Sequence, residues 1–437
     1  MVKIGGGGIV NKWVKIYGGR RNAPVDFAGS VAFDEEGNII VAGSTGSFGA
    51  GGLDFWVLKL DKDGDIVWQK AYGGEEDEDA RKVAVDDEGN IVIVGLERFP
   101  FSKKSDVWVL KLDKDGDIVW QKACRGKGNN EANCLAIDGE GNIVVAGSTE
   151  TFGAGKRDVW VLKLDKDGDI VWQKAYGGKN NDEAHSVAID EDRNIIVAGS
   201  TGSFGAGGLD FWVLKLDENG NIVWQKAYGG KKNDEAHSVA IDEDRNIIVA
   251  GSTGSFGAGG LDFWVLKLDE NGNIVWQKAY GGKKNDEAHS VAIDEDRNIV
   301  VAGSTETFGA GKSDVWVLKL NEYGDALWQR TYGGEGDDFA EDVTVDDDGN
   351  IVVVGSTETF SAGDYPAAMV LCLGPDGEVY SSLKRFTVTS TNTFPIVTKA
   401  YSSFTPAKVS YARLELLNTW KTTTDTKATV TVLAPPQ

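Results

Sequence analysis

The sequence is short of the residues that would staple it, thread it through a membrane or coat it with positive charge. Three cysteines among 437 residues cannot form a disulfide scaffold at this size. No apolar run approaches the ~20 residues of a membrane-crossing helix. Lysine and arginine number 45 against 68 aspartates and glutamates, a formal charge of −23, which excludes a nucleic-acid wrapper because phosphates need a basic face. Helical i, i+3, i+4 patterning is also missing, so an all-helical or α/β domain is excluded. The opening residues hold no apolar stretch that would act as a signal peptide.

What is present is glycine, tryptophan and repetition: 57 Gly and 14 Trp. A Trp ahead of a Tyr-Gly-Gly or its relic recurs at Trp13, Trp68, Trp120, Trp172, Trp224, Trp276 and Trp328. The first spacing is 55 residues and the next five are 52, in the range of propeller blades rather than helical repeats. Residues 181–230 and 233–282 are identical, so duplication built part of the array. Within one unit, residues 186–190, 194–201, 210–216 and 221–228 are rich in β-branched and aromatic residues and predict four strands. Tight turns separate the first strand from the second and the third from the fourth. A longer Gly-rich segment, 199–208, joins the middle pair. The first turn, Asp-x-x-[Gly/Arg]-Asn-Ile, starts at Asp34, Asp86, Asp138, Asp190, Asp242, Asp294 and Asp346.

Such a sheet is apolar on both faces and has to stack on copies of itself, with radial closure protecting its edges. The expected fold is all-β: a seven-bladed propeller of four-stranded antiparallel blades over residues 1–385, followed by a β-rich extension, 386–437. Six fourth strands follow their own blades. The seventh copy, with Ile9, Trp13 and Tyr17, precedes the first blade and should complete the last one, closing the ring. A rival strand after Gly377, residues 378–386, has Ser381 where Trp belongs and should lose that place.

The pattern Tyr-Gly-Gly, an acidic stretch, Val-Ala-Ile-Asp-x-x-x-Asn-Ile-Ile-Val-Ala-Gly-Ser-Thr, then Asp-Phe-Trp-Val-Leu-Lys-Leu-Asp and Gly-Asn-Ile-Val-Trp resembles the SBBP family. These are the seven-bladed β-propeller repeats of bacterial and archaeal, mostly extracellular proteins, and the resemblance spans residues 9–377 in seven copies. It implies the fold and an extracellular or cell-surface setting for a mature or engineered form, and it brings no catalytic residues. The Asp-x-x-Gly-x-x-x-Trp element is also similar to the structural repeat of quinoprotein propellers, which carries no quinone site with it.

Candidate sites are few. Asp26, Glu78, Asp182, Asp234, Asp286 and Asp338, with Asn130 at the equivalent place, precede the innermost strands and would form an acidic channel mouth for a cationic partner. Phe48, Phe152, Phe204, Phe256, Phe308 and Phe360 either pack between blades or form a repeated ligand surface. Cys124 and Cys134, ten residues apart and both replacing repeat residues, are a candidate disulfide, and Cys372 reads as a buried thiol. His185, His237 and His289 occupy one repeat position, filled elsewhere by Gly29, Arg81, Asn133 and Glu341, and duplication accounts for them without a ligand ring. Aspartate-rich turns such as 61–65 read as solvated hairpins rather than calcium loops. No nucleophile–base arrangement stands out from the repeat, so no catalytic residues, metal or cofactor are expected.

After Gly377 there is no glycine, and residues 386–437 hold 13 threonines with five basic and two acidic side chains. This tail is either a small module packed on the propeller or an arm that donates strands to an acidic neighbour. The expectation is a non-enzymatic extracellular protein for structure, adhesion or filament assembly, self-associating or engaging cell-surface proteins and glycans. The alternative is a multivalent, lectin-like carbohydrate-binding module. An enzyme seated in the irregular second blade, around residues 97–104, is the third reading.

Overall fold

A computed structural model describes residues 12–18, 25–99, 104–361 and 365–379, together with two tail strands, Thr387–Ser390 and Thr429–Val432. The chain forms seven antiparallel sheets in a ring, and no helix occurs among the described residues. The innermost strands of blades 1 to 7 are Asp26–Phe33, Asp77–Val85, Asn130–Ile137, Asp182–Ile189, Asp234–Ile241, Asp286–Ile293 and Asp338–Val345. The outermost strands of blades 1 to 6 are Ile66–Gly73, Ile118–Cys124, Ile170–Tyr176, Ile222–Tyr228, Ile274–Tyr280 and Ala326–Gly333.

Blade 7 has only three strands from its own stretch of chain. Its fourth is Trp13–Tyr17, antiparallel to Ala367–Leu373, with Trp13 opposite Cys372 and Tyr17 opposite Ala368. The N-terminal strand therefore closes the ring as its Trp and Tyr predict. Ile9 and the rival strand's 380–386 lie outside the described residues.

The core is not central. Seven apolar clusters each combine side chains of two neighbouring blades. Strand alternation explains this. Trp212 on the third strand of blade 4 faces blade 3, while its neighbour Phe211 faces blade 5, where its ring lies 4.5 Å from that of Trp264. Both faces of each blade are thus buried, and the third strands have no solvent side.

A polar clamp repeats around the outside. Each outermost-strand tryptophan donates its indole N–H to a turn carbonyl of the following blade, from Trp13 to Lys62 through Trp328 to Pro375. Four residues on, a tyrosine hydroxyl donates to the glycine carbonyl of the same turn at 2.6 Å, as in Tyr17 to Gly64 and Tyr228 to Gly272. Those turn glycines stand at φ near +75°, open to glycine without a β-carbon penalty. Blade 2 has Cys124 where the tyrosine belongs.

The two tail strands extend two blades outward. Thr387–Ser390 pairs with the outermost strand of blade 6, and Thr429–Val432 with that of blade 1.

Candidate functional site

The innermost strands all carry the same irregularity. In blade 4 the register slips between Ala184 and Ser186, and equivalent slips occur in the other six blades. The skipped residue is unpaired in the ladder, and a bulge of this kind re-aims its side chain. It is Gly29, Arg81, Asn133, His185, His237, His289 and Glu341 in turn, and these seven line a cavity of about 300 Å³ on the axis. Gly29, Arg81, Asn133 and Glu341 break the repeat, so the channel wall is chemically lopsided.

Three of the wall side chains are oriented by the next blade. Asn133 Nδ2 donates to the Ala184 carbonyl at 2.8 Å, His237 Nδ1 to the Ala288 carbonyl at 2.8 Å, and His289 Nδ1 to the Ala340 carbonyl at 2.7 Å. A carbonyl only accepts, so both Nδ1 atoms carry the proton. His185 is turned differently, with Nε2 at 3.5 Å from the Ser200 hydroxyl. The three imidazoles stand edge to face with centroids 5.7 Å apart. Burial, reinforced by His237, holds His185 down at about 3, and burial lowers His237 and His289 as well. All three are neutral at pH 7. No group of three or more His, Cys, Asp or Glu among the described residues is placed to hold a metal ion.

On the other side sit the charges. Asp342, one residue beyond the bulge of blade 7, is buried and accepts from the Ser30 hydroxyl at 2.7 Å, the Val31 amide at 3.1 Å and the Ser290 hydroxyl at 2.7 Å. Lys82 Nζ reaches the same carboxylate at 2.6 Å. The carboxylate thereby ties blades 6, 7, 1 and 2 together. Burial would raise its pKa, but Lys82 and the two hydroxyls outweigh burial and lower it. Arg81 is engaged by Asp79 at 2.8 Å. Burial pushes the Glu341 carboxyl up to about 7, opposed by Arg81 and reinforced by Asp342 and Asp79.

The residues that the sequence singles out lie elsewhere. Asp26, Asp182, Asp234, Asp286 and Asp338 are buried rather than open to a channel mouth. Asp182 accepts from the hydroxyls of Thr201 and Ser203 and the Gly178 amide, pinning the Gly-rich loop to the start of its blade. Asp26, Asp286 and Asp338 make the matching bonds to Thr45, Thr305 and Thr357. Glu78 is buried too, accepts from the Gly74 amide, and is pushed by burial up to about 8. Asn130 is bonded to Thr149.

Phe48, Phe152, Phe204, Phe256 and Phe308 are partly buried, each 5.0–6.1 Å from a third-strand tryptophan of its own blade. Their rings are spent on packing, and the Phe360 amide bonds Thr357. The expected disulfide is absent: Cys124 and Cys134 are both free thiols. Ten residues carry the chain from the outermost strand of blade 2 to the innermost strand of blade 3, so sequence proximity places the two at opposite radial ends. Cys372 is buried and free, as expected. In the irregular blade 2, Glu97 pairs with Arg125 at 3.0 Å and Arg98 with Asp79 at 3.1 Å.

The chain is a β-propeller repeat protein. Residues 53–259 match the family model described as outer membrane protein assembly factor BamB. The chain is 26% identical over 220 residues to Regulatory protein FlaEY of Caulobacter vibrioides, covering 42% of this chain and 23% of that protein. It is 21% identical over 431 residues to the uncharacterized WD repeat-containing protein L264 of Acanthamoeba polyphaga mimivirus, covering 69% and 31%. The chain thus spans less than a third of the length of either curated relative. Among solved structures it is similar to the WD40 domain of Neurospora crassa Pan2, at 14% identity and a TM-score of 0.53 over 85% of this chain and 97% of that one. It is also similar to the α-L-arabinofuranosidase Arb93A of Fusarium graminearum, at 12% identity and a TM-score of 0.50 over 72% and 99%. An enzyme and a WD40 domain share this fold, so function has to be read from side chains and edges.

Proposed function

We propose that the protein is a non-enzymatic interaction scaffold of the SBBP type, working outside the cell or on its surface, where it assembles with further copies of itself through strand addition. The observation that supports this reading is the fifth strand on blades 1 and 6, supplied by the tail. An outermost propeller strand offers a row of backbone donors and acceptors that any extended segment completes. Blades 2, 3, 4 and 5 offer the same edge with no fifth strand among the described residues. Each of those edges also exposes a valine more than half: Val119, Val171, Val223 and Val275. The tail has a charge of +3 and the remaining chain −26, so the tail of one copy is drawn to the body of another.

The test is the solution mass of the full chain against a chain ending at Leu383, measured by light scattering across a concentration series. Growth of the full chain with concentration, and a monomeric truncated chain, is the expected result. Monomers in both cases would refute assembly through the tail. Five of the six phenylalanines of the candidate aromatic surface face tryptophans instead, which counts against the carbohydrate-binding reading.

A further inference from the structure

The axial cavity is a separate matter from the blade edges, and its polar inventory is one-sided. His237 and His289 give their Nδ1 protons to backbone carbonyls, so each neutral ring keeps an Nε2 lone pair. Asn133 gives its amide N–H₂ to Ala184, which leaves Oδ1 as its acceptor. Lys82 is committed to Asp342 and Arg81 to Asp79. Glu341, on the wall between His289 and the bare position of Gly29, has no lysine or arginine within 4 Å among the described residues. The ring of Phe27, also on the wall, lies 3.1 Å from where a β-carbon on Gly29 would stand. It adds an aromatic surface to the wall at the Gly29 position.

Lone pairs, one carboxylate in no ion pair with a lysine or arginine and an aromatic ring are complementary to a group whose polar atoms are all donors and which is positively charged. An anion would meet Glu341 and Asp342, and a hydroxyl would use the acceptors while leaving the carboxylate unpaired. We infer that the channel binds a small aliphatic primary ammonium, its N–H groups shared between Glu341 and the Nε2 atoms of His289 and His237, with Phe27 against its carbon chain or its charge. The 300 Å³ available holds a short diamine. Glu341, held up near 7 by burial, binds the cation as the carboxylate. Affinity therefore falls as the pH is lowered from 8 to 6 and Glu341 takes up a proton. On the same wall Arg81 is paired with Asp79 and Lys82 with Asp342. Burial opposes, but Lys82 and the serine hydroxyls lower Asp342, which so stays ionised. Burial holds His185 down at about 3 and lowers His237 and His289.

The three histidines are the only ones in the chain, and all three line the cavity, so their ring resonances report on the channel alone. Titrating the full chain with putrescine at pH 8, with glucose and inorganic phosphate as comparators, reads the site directly by NMR and calorimetry. Putrescine is expected to shift the His237 and His289 signals saturably, and the comparators to leave them in place. Glu341→Gln should weaken putrescine by about tenfold or more while the histidine signals retain their native dispersion. If that variant fails to fold, the wild-type affinity at pH 6 should still be weaker than at pH 8. No saturable shift at millimolar putrescine, an equal response to glucose or phosphate, or affinity indifferent to pH would each overturn the inference.

Discussion

At the residue scale, repetition makes each exception measurable against its own copies. Cys124 sits where six blades carry a tyrosine bonded to the next turn. Its thiol is pushed by burial up to about 12, so it is inert. Cys124→Tyr should restore the missing bond to the Gly116-type turn at Gly168 and raise stability by about 1 kcal/mol, read as a later denaturation midpoint at unchanged slope. Asp342 is the opposite kind of exception, since its carboxylate holds side chains and backbone of four blades. Asp342→Ala should cost about 3 kcal/mol, because Ser30, Ser290 and Lys82 lose their common acceptor at once. Neither role shows in the sequence. A bulge leaves no composition mark, and the wall residues differ from blade to blade, so aligning the repeats displays them as noise. The equivalence of Gly29, Arg81, Asn133, Glu341 and the three histidines was legible; that the shared position faces the axis was not.

At the scale of the element, the turn and the strand were the legible parts. Seven aspartate turns predict seven blades because each Asp side chain accepts the amide four residues on, as Asp190 does from Asn194, and no other sequence serves that geometry as well. In six blades the same carboxylate also takes a lysine from the third strand, such as the buried Lys267 at 2.9 Å from Asp242. Three turns hold Arg193, Arg245 and Arg297 at φ of 63–65°, where the others use glycine. Each arginine reaches an acidic residue of the preceding turn, such as Asp192 at 2.6 Å from Arg245. Arg245→Gly should change stability by less than about 1 kcal/mol, strain relief offsetting an exposed ion pair. The closing strand was legible because Trp13 and Tyr17 are spaced as in the outer strands of blades 1 and 3 to 6. Tyr17→Phe should lose about 1 kcal/mol and expose the strand Trp13–Tyr17 to faster amide exchange than its six counterparts. The disulfide failed as an expectation because ten residues in sequence hide a full radial crossing.

At the scale of the molecule, acidity is distributed as a pH response. Burial raises Asp54, Asp210 and Asp262 to about 6, each reinforced by an acidic residue of the next blade. In the folded chain these groups take up protons between pH 7 and 4 that the unfolded chain does not yet bind, so stability rises as the pH falls through about 6. The turn aspartates Asp34, Asp86, Asp138, Asp190 and Asp242 are lowered instead: burial opposes, but the lysine and asparagine bonds prevail. Their contribution is present above about pH 4 and is lost below it. The buried histidines act in the opposite sense below about pH 6.5, because the unfolded chain binds their protons first, so the carboxyl contribution is read from a single-site variant. Asp210→Asn should raise the urea midpoint at pH 7.5 and lose that advantage near pH 4.5. An Asp210→Asn advantage of equal size at pH 7.5 and pH 4.5 would contradict this assignment.

Blades 4 and 5 come from a stretch of fifty residues present twice without a single change. A strand of one copy cannot tell its own partner from the duplicate, so a chain recovering from denaturant will sample rings in which the two have exchanged places or one has been skipped. Recovery should accordingly be slower and more heterogeneous than loss of structure, and a few silent-volume changes confined to one copy would speed it without altering the finished ring.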